Sequence, residues 1–236
     1  MADITGDQLV QSEVLEGLAT AVNHRHWFVE LAQPYLGDNP IEIGSGLGDY
    51  AVEWARETRR FTATEADPDR LIRLKERLAG IPNIEVRQML LPTAEEGEYT
   101  AAVSYNVLEH IEDDQAALTS MRHLVLPGGA VIIVVPAFPF AMSPVDIATG
   151  HVRRYTIRSL REVMTRAGLR VERIDYANAL GLIGYYMATS VFRMAPKEGR
   201  MVKVYDKMVV PATKAMERRV RPPFGQSVFA VARRPL

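Results

Sequence analysis

A chain of 236 residues with 47% hydrophobic and 24% charged residues can bury a full core, and this balance excludes fibrous or disordered material. Its formal net charge of −1 gives no global reason to bind nucleic acid, and the absence of cysteine excludes disulfides, thiolate metal sites and a cysteine nucleophile. No apolar stretch of about 18 residues is free of charge, and Met1 to Gly6 lack the basic and apolar regions of a secretory leader; the reading is one cytoplasmic domain, residues 1–236, without stable membrane insertion.

Residues 1–38 predict a helical N-terminal cap, because Val14, Leu15, Leu18, Val22, Phe28 and Leu31 recur at helical spacing. Apolar runs then follow at Pro40 to Ile43, Phe61 to Thr64, Ile84 to Val86, Ala101 to Tyr105 and Val131 to Val135, each succeeded by a turn or helical stretch. That alternation predicts a parallel sheet with helices on both faces. Asp67-Pro68 supplies an N-cap and a first-turn proline for a helix whose stripe is Leu71, Leu74 and Leu78, ended by Gly80 and Pro82. Asp113 or Asp114 caps the next, with Ala117, Leu118, Met121 and Leu124 inward, and Pro127-Gly128-Gly129 turns the chain into its most apolar strand. Thr156 caps a helix running to Ala167, with Gly168 at its C-terminal cap. Arg170 to Tyr176 and Ser227 to Arg233 read as the last two strands. Residues 177–226 between them are too many for a structureless loop, so a helical lid over part of the active site is expected.

The first strand runs into Gly44-x-Gly46-x-Gly48, where the backbone can approach a ligand closely. This alone is weak evidence. A dinucleotide fingerprint would want a third glycine at position 49, where this chain has Asp49, whose carboxylate complements the helix dipole and repels a pyrophosphate. Glu42 closes the first strand at the end that faces a ligand crevice. Glu65 closes the second strand, placed to accept both hydroxyls of a ribose, which specifies a nucleoside and no more.

The stretches Ile41-Glu-Ile-Gly-Ser-Gly-Leu-Gly48, Glu65, Tyr105-Asn-Val-Leu-Glu-His-Ile111 and Leu124-Val-Leu-Pro-Gly-Gly129 together resemble the class I S-adenosylmethionine-dependent methyltransferases, from Ile41 to Arg233. The resemblance implies a Rossmann-like, doubly wound, seven-stranded α/β sheet, mostly parallel with an antiparallel last strand and a helical insertion before it. It also implies that Gly44, Ser45, Gly46 and Gly48, beside Glu42, carry the methionine part of the cofactor, and that Glu65 with Ala66 holds the ribose. Met89, Leu90 and Leu91 then border the adenine, and Asn106, Val107 and Glu109 line the cofactor beside the methyl group. Many relatives have an acid in the adenine loop; Gln88-Met89-Leu90-Leu91 has none, so apolar packing of Met89 and Leu90 on the ring is expected in its place. Asn23-His-Arg-His-Trp27 resembles an Asn-Tyr-x-x-Trp stretch that closes over the cofactor's amino-acid end, with His24 where the tyrosine stands; Trp27 is either a cofactor contact or a packing residue.

An alcohol acceptor must lose a proton, and histidine is a suitable base. Of five histidines, His151 is the choice, because it follows the fifth strand at the ligand-bearing edge; capping the next helix or pairing with Asp146 are its structural alternatives. His110 sits in a motif shared across methyltransferases, which suggests a cofactor-site or structural part. Arg153, Arg154 and Tyr155 offer a planar cation and a hydroxyl to a sugar, carboxylate or phosphate. Tyr185, Tyr186 and Met187 can bind a ring or a lipid, or form lid core or a homodimer seam; lid core is the reading taken. Gly150-His-x-Arg-Arg-Tyr-Thr156 with Pro223-Phe-Gly-Gln-Ser227 is similar to bacterial methyltransferases of glycan and glycolipid assembly, and to actinobacterial sugar O-methyltransferases, including the type acting on the reducing end of methylmannosides. The expectation is O-methylation of a sugar, oligosaccharide or glycosylated small molecule. The alternatives are a lipid or fatty-acid carboxyl methyltransferase and a non-catalytic nucleotide-binding module. Asp146 with Glu109 or Asp113 can supply oxygens to a divalent cation such as magnesium, yet no spaced ligand set demands one, and no metal site is assigned.

Overall fold

The computed structural model describes residues 6–187 and 200–236. Its seven strands are β1 (Pro40–Ile43), β2 (Phe61–Glu65), β3 (Ile84–Gln88), β4 (Tyr99–Tyr105), β5 (Val125–Pro136), β6 (Arg170–Ala177) and β7 (Ser227–Arg233). They form one sheet in the order β3-β2-β1-β4-β5-β7-β6. Pairings from β3 through β5 are parallel, and β7 runs antiparallel to both its neighbours. The expected doubly wound sheet with an antiparallel last strand is therefore present.

Side chains of successive strand residues alternate between two buried layers. Ile41, Ile43, Ala102, Val131, Ile133 and Val135 join one core cluster. Ala101, Val103, Ala130, Ile132 and Val134 join the other. The first cluster packs under α5 (Asp114–Leu124) and α7 (Ile157–Arg166). The second packs under α2 (Val22–Leu36), α3 (Asp49–Ala55), α4 (Pro68–Leu78) and α10 (Val210–Glu217). Fully buried Trp54 joins two of these helices, its indole N–H donating to the Val29 carbonyl at 3.2 Å.

The helix starts follow local chemistry. Asp67 accepts from the Arg70 amide ahead of Pro68, Asp113 accepts from the Ala116 amide, and Thr156 forms a reciprocal capping box with Ser159. One element departs from the sequence expectation: Pro127-Gly128-Gly129 lies inside β5, not before it. Tyr99 pairs with Val125 and Ala101 with Ala130, so the extra residues bulge out of the ladder between those pairs.

The insertion after β6 contains α8 (Ala179–Tyr186), α9 (Arg200–Val204), a π-helical turn Tyr205–Val209, and α10. Its two ends are clasped, because buried Asn178 donates from Nδ2 to Gln226 Oε1 at 2.8 Å and accepts from the Tyr205 hydroxyl at 2.6 Å. The N-terminal cap comprises α1 (Gln8–Ala19) and α2; the side chains of Val14 and Leu18 fall outside the described set. Buried Asp206, on the π-helical turn, accepts from the Asn23 amide at 3.0 Å and the His24 amide at 2.9 Å, and so caps α2 across 183 residues of sequence. The Asp206→Ala variant should lose about 1–2 kcal/mol, read as a lower midpoint in thermal or urea unfolding. An unchanged midpoint would show that the insertion does not anchor the cap.

No described helix is long and apolar enough to cross a membrane.

Candidate functional site

The C-terminal ends of the parallel strands share one edge, the place where ligands enter such sheets. Backbone φ is +71° at Gly44, and a β-carbon there would lie 2.5 Å from Val107 Cγ2. Only glycine fits, so the turn after β1 touches the loop after β4. Gly46, with φ +56°, donates its N–H to Glu65 Oε2 at 2.9 Å. Glu42 is 2% exposed; its Oε2 and the Ser45 hydroxyl have no hydrogen-bond partner among the described residues. Burial raises the Glu42 carboxyl to about 8, opposed by the nearby Ser45 hydroxyl and reinforced by the Glu65 and Asp49 carboxylates. Two buried polar atoms without a partner among the described residues, beside the glycine turn, mark a place for a ligand's donors. Asp49 occupies the first position of α3 and is held by Arg77 at 2.7 Å.

Glu65 is more heavily engaged than the sequence suggests. Its Oε1 accepts from the Ala66 and Asp67 amides at 3.0 Å and from Arg70 Nη2 at 3.2 Å, while Oε2 holds Gly46. A ribose would share this carboxylate with the protein's own donors. In the loop after β3, Met89 and Leu91 are buried in the core, and Leu90, 39% exposed, carries the apolar surface on offer. Met89 thus lies beneath the surface expected to receive an adenine. Asn106 is exposed, with φ +54°, at the end of β4.

Trp27 is 4% exposed, in core cluster contact and edge-on to Phe28. His24 stacks on Phe28, and burial lowers its pKa to about 4. The segment lying across the glycine turn is α1 instead: Leu15 Cδ1 would be 3.2 Å from a β-carbon on Gly46, and Gln11 Nε2 donates to the Thr149 carbonyl at 2.7 Å while its Oε1 accepts from Arg70. Helix α1 therefore bridges α4 and the loop that carries His151.

A 3-10 turn, Leu108–His110, continues the chain from Val107 and places Glu109 at 0% exposure, with neither carboxylate oxygen hydrogen-bonded among the described residues. Burial raises its carboxyl to about 7, opposed by the nearby His151. His151 Nε2 lies 4.0 Å from Glu109 Oε1, and the His110 ring meets the His151 ring edge-on at 4.7 Å. Burial lowers the pKa of His110 to about 4. His151 Nδ1 is 2.8 Å from Asp146 Oδ1, close in distance without the alignment of a hydrogen bond. Asp146 lies in α6 (Pro144–Ala148), and its backbone carbonyl accepts from the His151 amide at 2.8 Å.

Asp146, read from the sequence as a partner of His151 or an oxygen donor to a cation, is the hub of the site. Its carboxylate accepts from Arg154 Nη2 at 2.8 and 3.0 Å, from the Ser143 hydroxyl at 2.7 Å and from the Tyr185 hydroxyl at 3.1 Å. Burial opposes ionisation, but His151, Arg154 and Ser143 outweigh it and hold the carboxyl well below the usual range. Arg154 also lies 4.8 Å from the centre of the Tyr185 ring. These four groups converge on one network.

Arg153 and Tyr155 do not join it. Arg153 donates to the Ile111 and Glu112 carbonyls, and Tyr155, 2% exposed, donates its hydroxyl to Asp114 at 2.9 Å. Both brace the start of α5. Tyr185 is half-buried, whereas Tyr186 and Met187, expected as lid core, are 38% and 41% exposed. His123 is half-buried against Arg122.

Residues 24–174 match the family model described as a methyltransferase domain. An uncharacterized methyltransferase of Mycobacterium tuberculosis is 34% identical over 98 residues, 40% of this chain and 48% of that protein. The chain spans about half the length of the curated relatives it matches. A chain in the complex of the Haloferax volcanii Trm112 methyltransferase activator has a similar fold, with a TM-score of 0.64 at 15% identity over 96% of this chain and 98% of that one. Haemonchus contortus phosphoethanolamine N-methyltransferase 2, in complex with S-adenosyl-L-methionine, gives a TM-score of 0.58 at 16% identity over 85% of this chain and 49% of that one.

Proposed function

Because the chain belongs to the methyltransferase-domain family, we propose that it transfers the methyl group of S-adenosylmethionine to a hydroxyl of a sugar, oligosaccharide or glycosylated small molecule, a methylmannoside-type acceptor among them. One observation carries the reading: Val107 packs on Gly44, and two residues later Glu109 faces His151, so a single short segment joins the glycine turn to the His151 network. A cofactor held at the turn has its methyl end beside that network. Glu42 Oε2 and Ser45 Oγ fit an amino-acid end that brings donors, Glu65 fits a ribose, and Leu90 fits an adenine face.

The acceptor oxygen's lone pair forms the new O–C bond as the C–S bond breaks, and that bonding pair returns to sulfur, leaving a neutral thioether. Alignment supplies much of the acceleration. The hydroxyl proton passes to His151 Nε2, and the Asp146 carboxylate beside Nδ1 stabilises the imidazolium that forms. Arg154 and Tyr185 act by holding Asp146.

A lipid or fatty-carboxyl acceptor draws support from a separate observation. Phe140, Ile147 and Ile183 are 65%, 69% and 51% exposed on the segments that flank Asp146 and Tyr185, an apolar rim suited to an acyl chain. Mass spectrometry of products from mannosides, glycolipids and free fatty acids separates the two, and turnover on carboxylates alone would sink the hydroxyl reading.

Cofactor identity has its own test in calorimetric titration with S-adenosylhomocysteine and with NAD. Glu42 is largely protonated at pH 7 when ligand-free, and a cationic amino group beside it favours the ionised form. Binding of S-adenosylhomocysteine near pH 7 should therefore release a fraction of a proton approaching one, seen as enthalpies that vary with buffer ionisation heat. The release should vanish in Glu42→Gln. Tighter binding of NAD, or no binding of S-adenosylhomocysteine, would overturn the reading; binding without turnover on any acceptor would favour a non-catalytic module.

A further inference from the structure

We infer that Glu109, His110 and His151 form a binding site for a divalent transition-metal ion. One ligand atom from each lies within 4.8 Å of the other two. First-row metals bound by imidazole and carboxylate have bonds of about 2.0–2.2 Å, which places neighbouring ligand atoms about 3–3.5 Å apart. The 4.0 Å between His151 Nε2 and Glu109 Oε1 closes to that spacing with side-chain movements of about 1 Å or less.

Glu109 is the observation that points to a ligand. It is fully buried, aimed at the two rings, and neither oxygen receives a hydrogen bond from the described residues. A carboxylate in that position needs a partner, and a cation supplies one. Asp146 stands 2.8 Å from His151 Nδ1, on the ring's far side from Glu109. A carboxylate commonly stands beside the nitrogen that a metal-bound histidine leaves free, and a small rotation of the ring would align this pair. Two imidazoles with one carboxylate suit zinc, manganese, cobalt or nickel better than magnesium, which prefers oxygen ligands. Three protein ligands also leave coordination positions open.

The chemical use of the ion rests on the proposed function; its binding does not. In the ion-free protein His151 Nε2 takes the acceptor proton directly. With an ion bound, Nε2 is a ligand, the acceptor hydroxyl coordinates the ion, and its lowered pKa sends the proton to water at the partly exposed side of His151. The lone pair then attacks the methyl carbon as before.

The test uses the full chain after chelator treatment, titrated with Mn²⁺ by electron paramagnetic resonance and with Zn²⁺ by calorimetry. One ion per chain is expected, with affinity at least tenfold weaker in Glu109→Gln and in His151→Ala. Absence of stoichiometric binding to the wild type, or equal binding by both variants, overturns the proposal. Should either variant fail to fold, the spin-echo modulation of Mn²⁺ bound to the wild type decides: imidazole nitrogen couplings support the site, and their absence overturns it. S-adenosylhomocysteine titration keeps the two readings apart, since a protein that binds Mn²⁺ but not that nucleoside retains the ion site and loses the methyl-transfer reading.

Discussion

Replacing His151 with alanine is expected to lower kcat by about 10²–10⁴-fold, the range of a positioned general acid or base, while the Kd for S-adenosylhomocysteine stays within about threefold, because among the described residues the ring meets Glu109, His110 and Asp146 and not the glycine turn or Glu65. Its backbone amide bond to Asp146 survives the substitution, so the loop keeps its main anchor. Asp146→Ala would be a poorer experiment. It removes the partner of Arg154, which is 6% exposed, and breaking a buried pair by deleting one side costs about 3–5 kcal/mol. Activity would then fall through unfolding as well as chemistry. His151→Ala avoids that confusion, and the loss is expected with or without a bound ion, since both states use Nε2. A kcat within a few-fold of wild type would assign the histidine to the structure of the loop.

Where sequence and structure agree, the information is local. Asp67 ahead of Pro68, Thr156 at the start of its helix, and the short apolar run Val131 to Val135 each declare an element within a few residues, because caps and buried strands are short-range physics. The glycine turn was legible for the same reason. What escaped is tertiary. Asp206 caps a helix 183 positions away, and Tyr185 reaches Asp146 across 39; no spacing rule connects such pairs. Tyr155 illustrates the converse error. A tyrosine after two arginines reads as a polar acceptor contact, yet the bridge between Ala137 and Tyr155 draws it against β5, where its ring fills the core and its hydroxyl finds Asp114. Residue type alone cannot tell an aromatic hydroxyl that faces a ligand from one that is satisfied inside. Glu109 is intermediate: its place after β4 was legible by resemblance, but that its carboxylate oxygens lack a hydrogen-bond partner among the described residues depends on how the 3-10 turn packs against His151.

Glu65→Ala is expected to destabilise the protein by about 3–5 kcal/mol, more than the loss of a ligand contact would imply. The carboxylate receives the amides of Gly46, Ala66 and Asp67 and the guanidinium of Arg70, which is itself 6% exposed. Alanine would remove the carboxylate from that buried cation and take the Gly46 tether off the glycine turn, which then keeps the Ser45 amide on the Thr64 carbonyl at 2.7 Å as its hold on β2. Reduced cofactor affinity in this variant would then report a loosened turn as much as a missing ribose partner. The two causes separate in a double-mutant cycle with Arg70→Met. Once the cation is gone, removing Glu65 should cost only about 1–3 kcal/mol, the penalty for the backbone donors left behind. The difference between the two backgrounds is the coupling energy of the pair. Urea midpoints give all four stabilities, and S-adenosylhomocysteine titrations of whichever variants remain folded give the affinities. A Glu65→Ala variant within 1 kcal/mol of wild type would mean that the turn keeps its shape without this acid. Affinity lost in that case would belong to direct contact with the ribose. If instead stability and affinity fall together and recover together in the Arg70→Met background, the loss comes from the Arg70 cation left beside the site, whereas affinity that stays low in both backgrounds assigns the acid to Gly46 or the ribose.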